Sequence, residues 1–176
     1  MVNSQIQEIR YGRVTLRRTT SADIGRLIDF EQHPDNAPFI RLWTHTQHEA
    51  AIADTNIGHF VVCETLSEKL IGHVILVGLE NADLSLEFKR IVIGEKGRGL
   101  GRDTVRAVKM FAFDELRFHR LWLEVLTQNI RAKSLYASEG FIEEGLHREA
   151  LRQGEIFHSL IVMSILAGEY ASLRLT

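Results

Sequence analysis

Apolar residues recur at two different spacings along this chain, and the spacing predicts the order of its secondary structure. Runs with strand character predict strands over residues 14–18, 60–64, 70–79, 83–93, 121–126, 141–148 and 156–166. Helical spacing predicts helices over about residues 21–30, 47–54, 100–116 and 129–140. The resulting order predicts an α/β (α+β) fold, with a mixed, mostly antiparallel central sheet of about seven strands and helices on both faces.

The fourth predicted strand contains a change of phase. Leu84, Leu86 and Phe88 alternate on one face of the strand, but the next apolar pair, residues 91 and 93, has the opposite parity. A β-bulge at Lys89-Arg90 would absorb the extra residue and open one edge of the strand. An extended ligand could then add to the unpaired N–H and C=O groups as a further strand. The alternative is a regular strand in which both basic residues are merely exposed.

A glycine-rich stretch separates this strand from the predicted helix at residue 100. It reads Glu95-Lys96-Gly97-Arg98-Gly99-Leu100-Gly101-Arg102. Glycines let the backbone approach an anion closely, and the first N–H groups of a helix point at it with the positive end of the helix dipole. Arg98 and Arg102 add two charged donors. The stretch therefore predicts a phosphate-binding turn, and the alternative is a surface turn with solvated arginines.

Composition narrows the class of protein. The chain has 176 residues, of which 45% are hydrophobic and 25% charged, with a formal net charge of −2. These values predict one compact domain and argue against a general nucleic-acid surface. The single cysteine, Cys63, lies in an apolar predicted strand, so we expect a buried, inert thiol.

The same pattern argues against a membrane protein. No apolar run reaches the roughly 18 residues that a membrane span needs. Residues 1–10 are polar and lack the apolar core of a signal peptide. We therefore expect a cytoplasmic protein with no membrane and no nucleic-acid partner.

A second motif lies in the predicted helix at residues 129–140. The spacing of Asn129, Ala132 and Tyr136 puts all three along one face of the helix, which Gly140 and Phe141 follow. Such a face can run beside an extended ligand, with an amide to bond it, a small residue for close approach and a phenol near its end. Taken alone, this pattern is usually structural.

Together, these motifs resemble the GNAT acetyltransferase superfamily and, within it, the RimJ/RimL type. The superfamily's phosphate signature, Gln/Arg-x-x-Gly-x-Gly/Ala, matches residues 96–101, with Lys96 replacing the usual Gln or Arg. The turn Gly94-Glu95 is about one residue shorter than usual. The pattern at residues 129–141 matches a second superfamily motif. The resemblance implies one N-acetyltransferase domain over residues 1–176, with its motif-bearing core at about 84–166.

The resemblance also implies a co-substrate and the residues that bind it. The donor is acetyl-CoA, no metal takes part, and the acetyl group moves directly to a primary amine in a ternary complex. Tyr136 is the expected general acid, and Glu87 the expected general base, acting directly or through water. Backbone N–H groups at residues 91–93 would hold the pantetheine arm and polarise the thioester carbonyl. The residues expected to bind acetyl-CoA are Ile91, Val92, Ile93, Lys96, Gly97, Arg98, Gly99, Leu100, Gly101, Arg102, Asn129, Ala132 and Tyr136.

The acceptor is left open at this point. The resemblance allows a protein N-terminal α-amine, a polyamine or another small amine, and it leaves open a homodimer. His45, His147 and His158 are further candidates for the acceptor pocket, and Trp43 is expected to anchor its loop. The alternative function is a non-catalytic acyl-CoA-binding or sensor module with the same fold.

Overall fold

The computed structural model describes residues 8–175, and the strands in this part of the chain form one sheet. The strands are β1 (Glu8–Tyr11), β2 (Val14–Arg18), β3 (Ile57–Glu64), β4 (Leu70–Val77), β5 (Ser85–Ile93), β6 (Arg120–Leu126), β7 (Ile142–Gln153) and β8 (Ile156–Leu166). The helices are α1 (Ile24–Gln32), α2 (His45–Ala53), α3 (Leu100–Met110), α4 (Ile130–Ser138) and α5 (Ala167–Leu173). The order across the sheet is β1-β2-β3-β4-β5-β6-β8-β7. Only the β5–β6 pair of this described sheet is parallel.

The predicted fold class and element order are confirmed, with one strand and one helix added at the ends. Strand β1 escapes prediction because a four-residue strand whose one fully buried side chain is Ile9 has no alternation to detect. Its presence makes the bulged strand the fifth of eight in the described chain rather than the fourth of about seven. Several boundaries were wrong. Strand β3 begins at Ile57 and β7 runs to Gln153, whereas β5 begins at Ser85 and Leu84 lies in the preceding turn with a φ of 52°.

The two faces of the sheet carry different helices. On β3, Phe60 and Val62 belong to the large apolar core that includes α3, whereas Val61 and Cys63 pack with Leu27 of α1. Because successive strand residues point to opposite faces, α3 and α1 lie on opposite sides of the sheet. Cys63 is buried as predicted, and burial raises the pKa of its thiol.

Helix α3 anchors the glycine-rich turn to the core. Leu100, Val105 and Val108 recur at helical spacing and are buried. The hydroxyl of Thr104 donates to the carbonyl of Leu100 at 2.8 Å. A π-helical turn at Phe111–Glu115 extends the helix. The first turn of α3 is therefore held firmly, and its free N–H groups face the preceding loop.

The β-bulge lies where the change of phase predicts it. Ile75 pairs with Arg90 and Leu76 pairs with Phe88, which leaves Lys89 as the extra residue on β5. Beyond the bulge the side chains exchange faces, so that residues 91 and 93 rejoin the large core. Arg90 consequently points to the side of α1 and is buried rather than exposed.

Candidate functional site

Strands β5 and β6 run side by side for three residue pairs and then separate. Residues 85–87 pair with residues 120–122, whereas β5 continues its pairing with β4 as far as Ile93 and β6 its pairing with β8 as far as Leu126. The backbone groups of residues 88–93 that face β6 are thus left without a strand partner in the described chain. A cavity of about 970 Å³ fills the gap. Its wall is an open strand edge, to which an extended ligand can add.

Most of the residues predicted from sequence line this cavity. They are Glu87, Ile91, Val92, Ile93, Lys96, Gly97, Gly99, Leu100, Gly101, Arg102, Asn129, Ala132 and Tyr136. Arg98 is the exception, because its guanidinium forms ion pairs with Glu64 and Glu95 instead. The parallel β5–β6 pair explains the convergence, since the turn after β5 and the cap of α4 after β6 meet at the same end of the sheet.

The glycine-rich turn has the backbone geometry of an anion site. Gly97 and Gly99 have φ angles of 80° and 75°, and Gly99 is the residue before α3. Glycine adopts such left-handed angles without steric cost. Arg13, from the turn between β1 and β2, steadies this segment, because its Nη1 donates to the Arg98 carbonyl at 2.8 Å and its Nε donates to Asp103 at 2.7 Å. The N–H groups that open α3 are therefore presented to the cavity.

The basic side chains near the turn fall into two groups. Arg98 and Arg102 are neutralised by carboxylates, the latter by Glu139 with its Nη1 2.5 Å from Oε1. Arg131, in the first turn of α4, also lines the cavity and has no hydrogen bond or ion pair to any described residue. Sequence reasoning missed Arg131, although its place two residues after the Asn129 cap was a usable signal. It is the cation best placed to meet an incoming phosphate.

Lys96 also faces the cavity, where its Nζ donates to the side-chain oxygen of Asn36. Burial, reinforced by the positive charge of Arg131, lowers the pKa of Lys96 to about 8. The ammonium is thus charged below pH 8 and is lost as pH rises through that value. An anion bound beside it would favour the charged form and draw a proton onto the side chain.

We expect the affinity for acetyl-CoA to fall by about tenfold between pH 7 and pH 9.5, because neutral Lys96 gives up a charge-assisted hydrogen bond of about 1.5–3 kcal/mol. Calorimetric titration at pH 8.5 in two buffers of different ionisation enthalpy should also show proton uptake on binding. Lys96→Arg is the matched control, since its charge persists throughout this range. An equal loss of affinity in Lys96→Arg would contradict the assignment.

Helix α4 presents the second motif to the same cavity. The side-chain oxygen of Asn129 accepts from the Ala132 N–H at 3.2 Å, which confirms the predicted cap. The ring of Tyr136 packs against Phe88 and Phe141. Its hydroxyl has no hydrogen-bond partner among residues 8–175, and burial raises its pKa above the usual value. This phenol therefore stays protonated at neutral pH and has a proton to donate toward the cavity.

Two carboxylates face the cavity near the point where β5 and β6 separate. Glu87, on β5, accepts a hydrogen bond from Lys89 at 3.0 Å. Glu124, on β6, lies 2.8 Å from Nδ1 of His147. Sequence reasoning missed Glu124, although its position among the apolar residues of a predicted strand was a signal. His147 itself is not among the described lining residues, and it reaches the cavity only through Glu124.

The remaining histidine candidates lie outside the described wall of the cavity. His45 is 3.6 Å from Glu49, within α2. His158 is 3.1 Å from the side-chain nitrogen of Gln128, which does line the cavity. His45, His158 and His147 therefore offer no direct contact with a ligand in the gap between β5 and β6.

A buried polar network, which sequence reasoning also missed, adjoins the cavity, and its Arg90 is one of the lining residues. Its centre is Glu31, 1% exposed, whose carboxylate meets Nη1 of Arg90 at 2.5 Å and Nε2 of His73 at 3.0 Å. His48 Nε2 lies 3.5 Å from the same carboxylate, outside hydrogen-bond geometry. Burial alone would raise the pKa of Glu31, but its histidine and arginine neighbours hold it well below the usual range.

The network also holds Trp43. The Arg90 guanidinium lies 4.5 Å from the centre of the Trp43 ring, and the backbone N–H of Trp43 donates to Glu31 at 3.1 Å. The ring therefore anchors its loop in the way that the sequence predicts. Because it also lines the cavity, it is a wall residue as well.

Across residues 8–175, no group of three or more His, Cys, Asp and Glu side chains is arranged to hold a metal ion. In the same part of the chain, no helix combines the length and the apolar character that a membrane crossing requires.

Two proteins resemble this chain in sequence, and one solved structure resembles it in fold. Spermidine N(1)-acetyltransferase of Vibrio cholerae serotype O1 is 35% identical over 95 residues, which cover 53% of this chain and 54% of that protein. The putative ribosomal N-acetyltransferase YdaF of Bacillus subtilis is 24% identical over 149 residues, 84% of this chain and 80% of that protein. A crystal structure of spermidine N-acetyltransferase from Vibrio cholerae with CoA and spermine has a TM-score of 0.80, at 24% identity over 90% of this chain and 98% of that one.

The first of these matches spans only about half the length of the curated relative. The structural likeness, at 24% identity, concerns the fold. The family model for the acetyltransferase (GNAT) domain, in contrast, matches residues 13–142 and so includes the bulged strand, the glycine-rich turn and α4. GNAT acetyltransferases use acetyl-CoA as co-substrate, in keeping with the CoA in the related crystal structure. This chain belongs to the GNAT acetyltransferase domain family.

Proposed function

We propose that this protein is an N-acetyltransferase, which transfers the acetyl group of acetyl-CoA to a primary amine. The observation that carries the proposal is the gap between β5 and β6, with a glycine-rich helix start at one end and the unpartnered Tyr136 hydroxyl along its wall. An extended ligand with a phosphate group at one end and a reactive group at the other matches the order of these features along the cavity. Acetyl-CoA supplies the acetyl thioester, and the side chains and backbone of the protein bind it and transfer the protons.

The described residues fit the parts of acetyl-CoA in turn. The N–H groups that begin α3, together with Lys96 and Arg131, suit the pyrophosphate. The free strand edge at residues 88–93 suits the amides of the pantetheine arm. Ala132 leaves room for close approach beside the Asn129 cap, and the Tyr136 hydroxyl lies farther along the same helix face.

Proton transfer is assigned to three side chains. Tyr136 donates a proton to the departing sulfur, since its pKa is raised and the group stays protonated at neutral pH. Glu87 takes the proton of the amine, directly or through water, as the sequence predicts. Glu124 is a second base candidate that the structure adds, because it faces the same cavity from β6.

For the acceptor, we favour a polyamine over a protein N-terminus. The relative matched at 35% identity is named for spermidine, whereas the ribosomal relative is matched at 24%. Glu87 and Glu124 each keep one carboxylate oxygen that accepts no hydrogen bond from a described residue, and such oxygens can receive an ammonium group. The likeness to the ribosomal relative keeps the protein N-terminus as the second acceptor class, and membership of the RimJ/RimL type stays part of this proposal.

The deciding experiment measures CoA release with spermidine, spermine, simple monoamines and peptides with free N-termini. We expect turnover with at least one amine, highest with polyamines, and none with peptides whose N-termini are blocked. Glu124→Gln should raise the KM for polyamines about tenfold, by removal of a charged partner. Tight acetyl-CoA binding without turnover on any member of the panel would instead favour the non-catalytic acyl-CoA-binding module.

A further inference from the structure

The buried pair of Glu31 and Arg90 joins the bulged strand to one wall of the cavity. That wall is the segment at residues 40–43, which we call the reactive-end wall because it lies beside the bulge rather than beside the glycine-rich turn. We propose that Glu31 and Arg90 are positioning residues, which fix the reactive-end wall relative to the bulge and so set the fit of the acceptor amine. The inference rests on the proposed transferase function.

The Arg90 guanidinium makes three contacts. Nη1 donates to Glu31 and Nη2 donates to the Arg41 carbonyl, both at 2.5 Å, while the flat face covers the Trp43 ring. A planar fork can satisfy a carboxylate, a carbonyl and an aromatic face together, which a lysine ammonium cannot do. Because Arg90 follows the extra residue of the bulge, any shift of the bulge moves the reactive-end wall with it.

The other contacts of the wall come from separate elements. The side chain of Gln153, at the end of β7, donates to the Ile40 carbonyl at 3.0 Å, and Glu31 of α1 accepts from the backbone N–H of Trp43 at 3.1 Å. The segment has no strand or helix pairing of its own. Its shape therefore depends on side chains that reach across from β5, β7 and α1.

Burial indicates that this pair serves geometry more than stability. Only 5% of the Arg90 side chain and 1% of the Glu31 side chain are exposed. Removal of two charges from water is costly, and a well-packed apolar pair often replaces a buried ion pair without loss of stability. The surrounding histidines add polar contacts rather than apolar packing, with His48 Nδ1 3.0 Å from His59 Nε2 and His59 Nδ1 2.8 Å from Thr19.

The test compares two variants of the Glu31–Arg90 pair with a control variant at another ion pair, between β2 and the turn before α1. Glu31→Gln with Arg90→Met removes both charges at once, so no lone charge is left buried. Arg90→Lys keeps the charge but loses the fork. The control is Arg17→Met with Asp23→Asn, an ion pair of 2.9 Å near the start of α1 whose residues do not line the cavity. All variants carry Trp122→Phe, so that Trp43 is the single tryptophan.

Both test variants should raise the KM for the acceptor amine at least tenfold, with kcat and the acetyl-CoA Kd changed less than threefold. Iodide quenching of Trp43 should increase at least twofold, and the control should show neither effect. Unchanged acceptor KM and unchanged quenching, or full retention of both in Arg90→Lys, would overturn the proposal. Quenching and acetyl-CoA binding need no acceptor, so they report on the wall even if every amine fails as a substrate.

Discussion

Gly99→Val is expected to weaken acetyl-CoA binding by at least 100-fold. The backbone at Gly99 has a φ of 75°, and a β-branched residue in this region carries a strain of about 1–3 kcal/mol. A Cβ atom at this position would also lie 2.8 Å from Nη2 of Arg13, the side chain that steadies the turn. Relief of either strain rotates the first N–H groups of α3 away from the cavity. Isothermal titration with acetyl-CoA measures the effect directly.

The control for this substitution is Gly154→Val, in the turn between β7 and β8. Gly154 has a φ of 60°, no described atom within 4 Å of the point that a Cβ would occupy, and no place in the cavity wall. It should lose similar conformational stability but keep its affinity for acetyl-CoA. A folded Gly99→Val protein with normal affinity would show that the turn is not the phosphate site.

Tyr136→Phe is expected to lower kcat by about 10²–10⁴-fold, the usual contribution of a general acid. The hydroxyl has no partner among residues 8–175, so its removal leaves no buried group unsatisfied. The ring contacts with Phe88 and Phe141 remain. We therefore expect the acetyl-CoA Kd and the melting temperature to stay close to those of the unmodified protein. Steady-state kinetics with saturating acetyl-CoA measure the loss.

Tyr170→Phe is the matched control, because its hydroxyl donates to Asp114 at 2.9 Å and neither residue lines the cavity. Its loss should cost about 1 kcal/mol of unfolding free energy and leave kcat unchanged. The two phenylalanine variants thus separate a catalytic hydroxyl from a structural one. Unchanged turnover in Tyr136→Phe would remove this residue as the acid.

Elements with local signals can be predicted from this sequence. The bulge shows itself as a change of parity within a few residues of β5, and the cap of α4 as an asparagine three residues before the N–H that it binds. The glycines of the turn, residues 97, 99 and 101, lie within a stretch of five residues. In each of these cases, the residues that carry the signal lie within a few positions of one another in the sequence.

Interactions between distant parts of the chain escape the same reasoning. Arg98 looks like a phosphate ligand beside its glycines, but Glu64, 34 residues earlier, pairs with it. Arg90 looks like a surface residue until Glu31, 59 residues away, is folded against it. A partial signal existed in His73, which stands among the apolar residues of the predicted strand 70–79, and in His59, which directly precedes the predicted strand 60–64. Glu31, the partner of His73 on α1, could not be identified without the fold.

The separation of β5 and β6 also has a thermodynamic consequence. Two blocks of the sheet, five strands and three strands in the described chain, share a backbone ladder of only three residue pairs. A ligand that bridges the gap in the native state, and not in the unfolded one, adds RT ln(1 + [L]/Kd) to the free energy of unfolding. At a concentration of 100 Kd, this amounts to about 2.7 kcal/mol. The resistance of the protein to unfolding would then follow the supply of acetyl-CoA, and its lifetime would depend on the metabolic state around it.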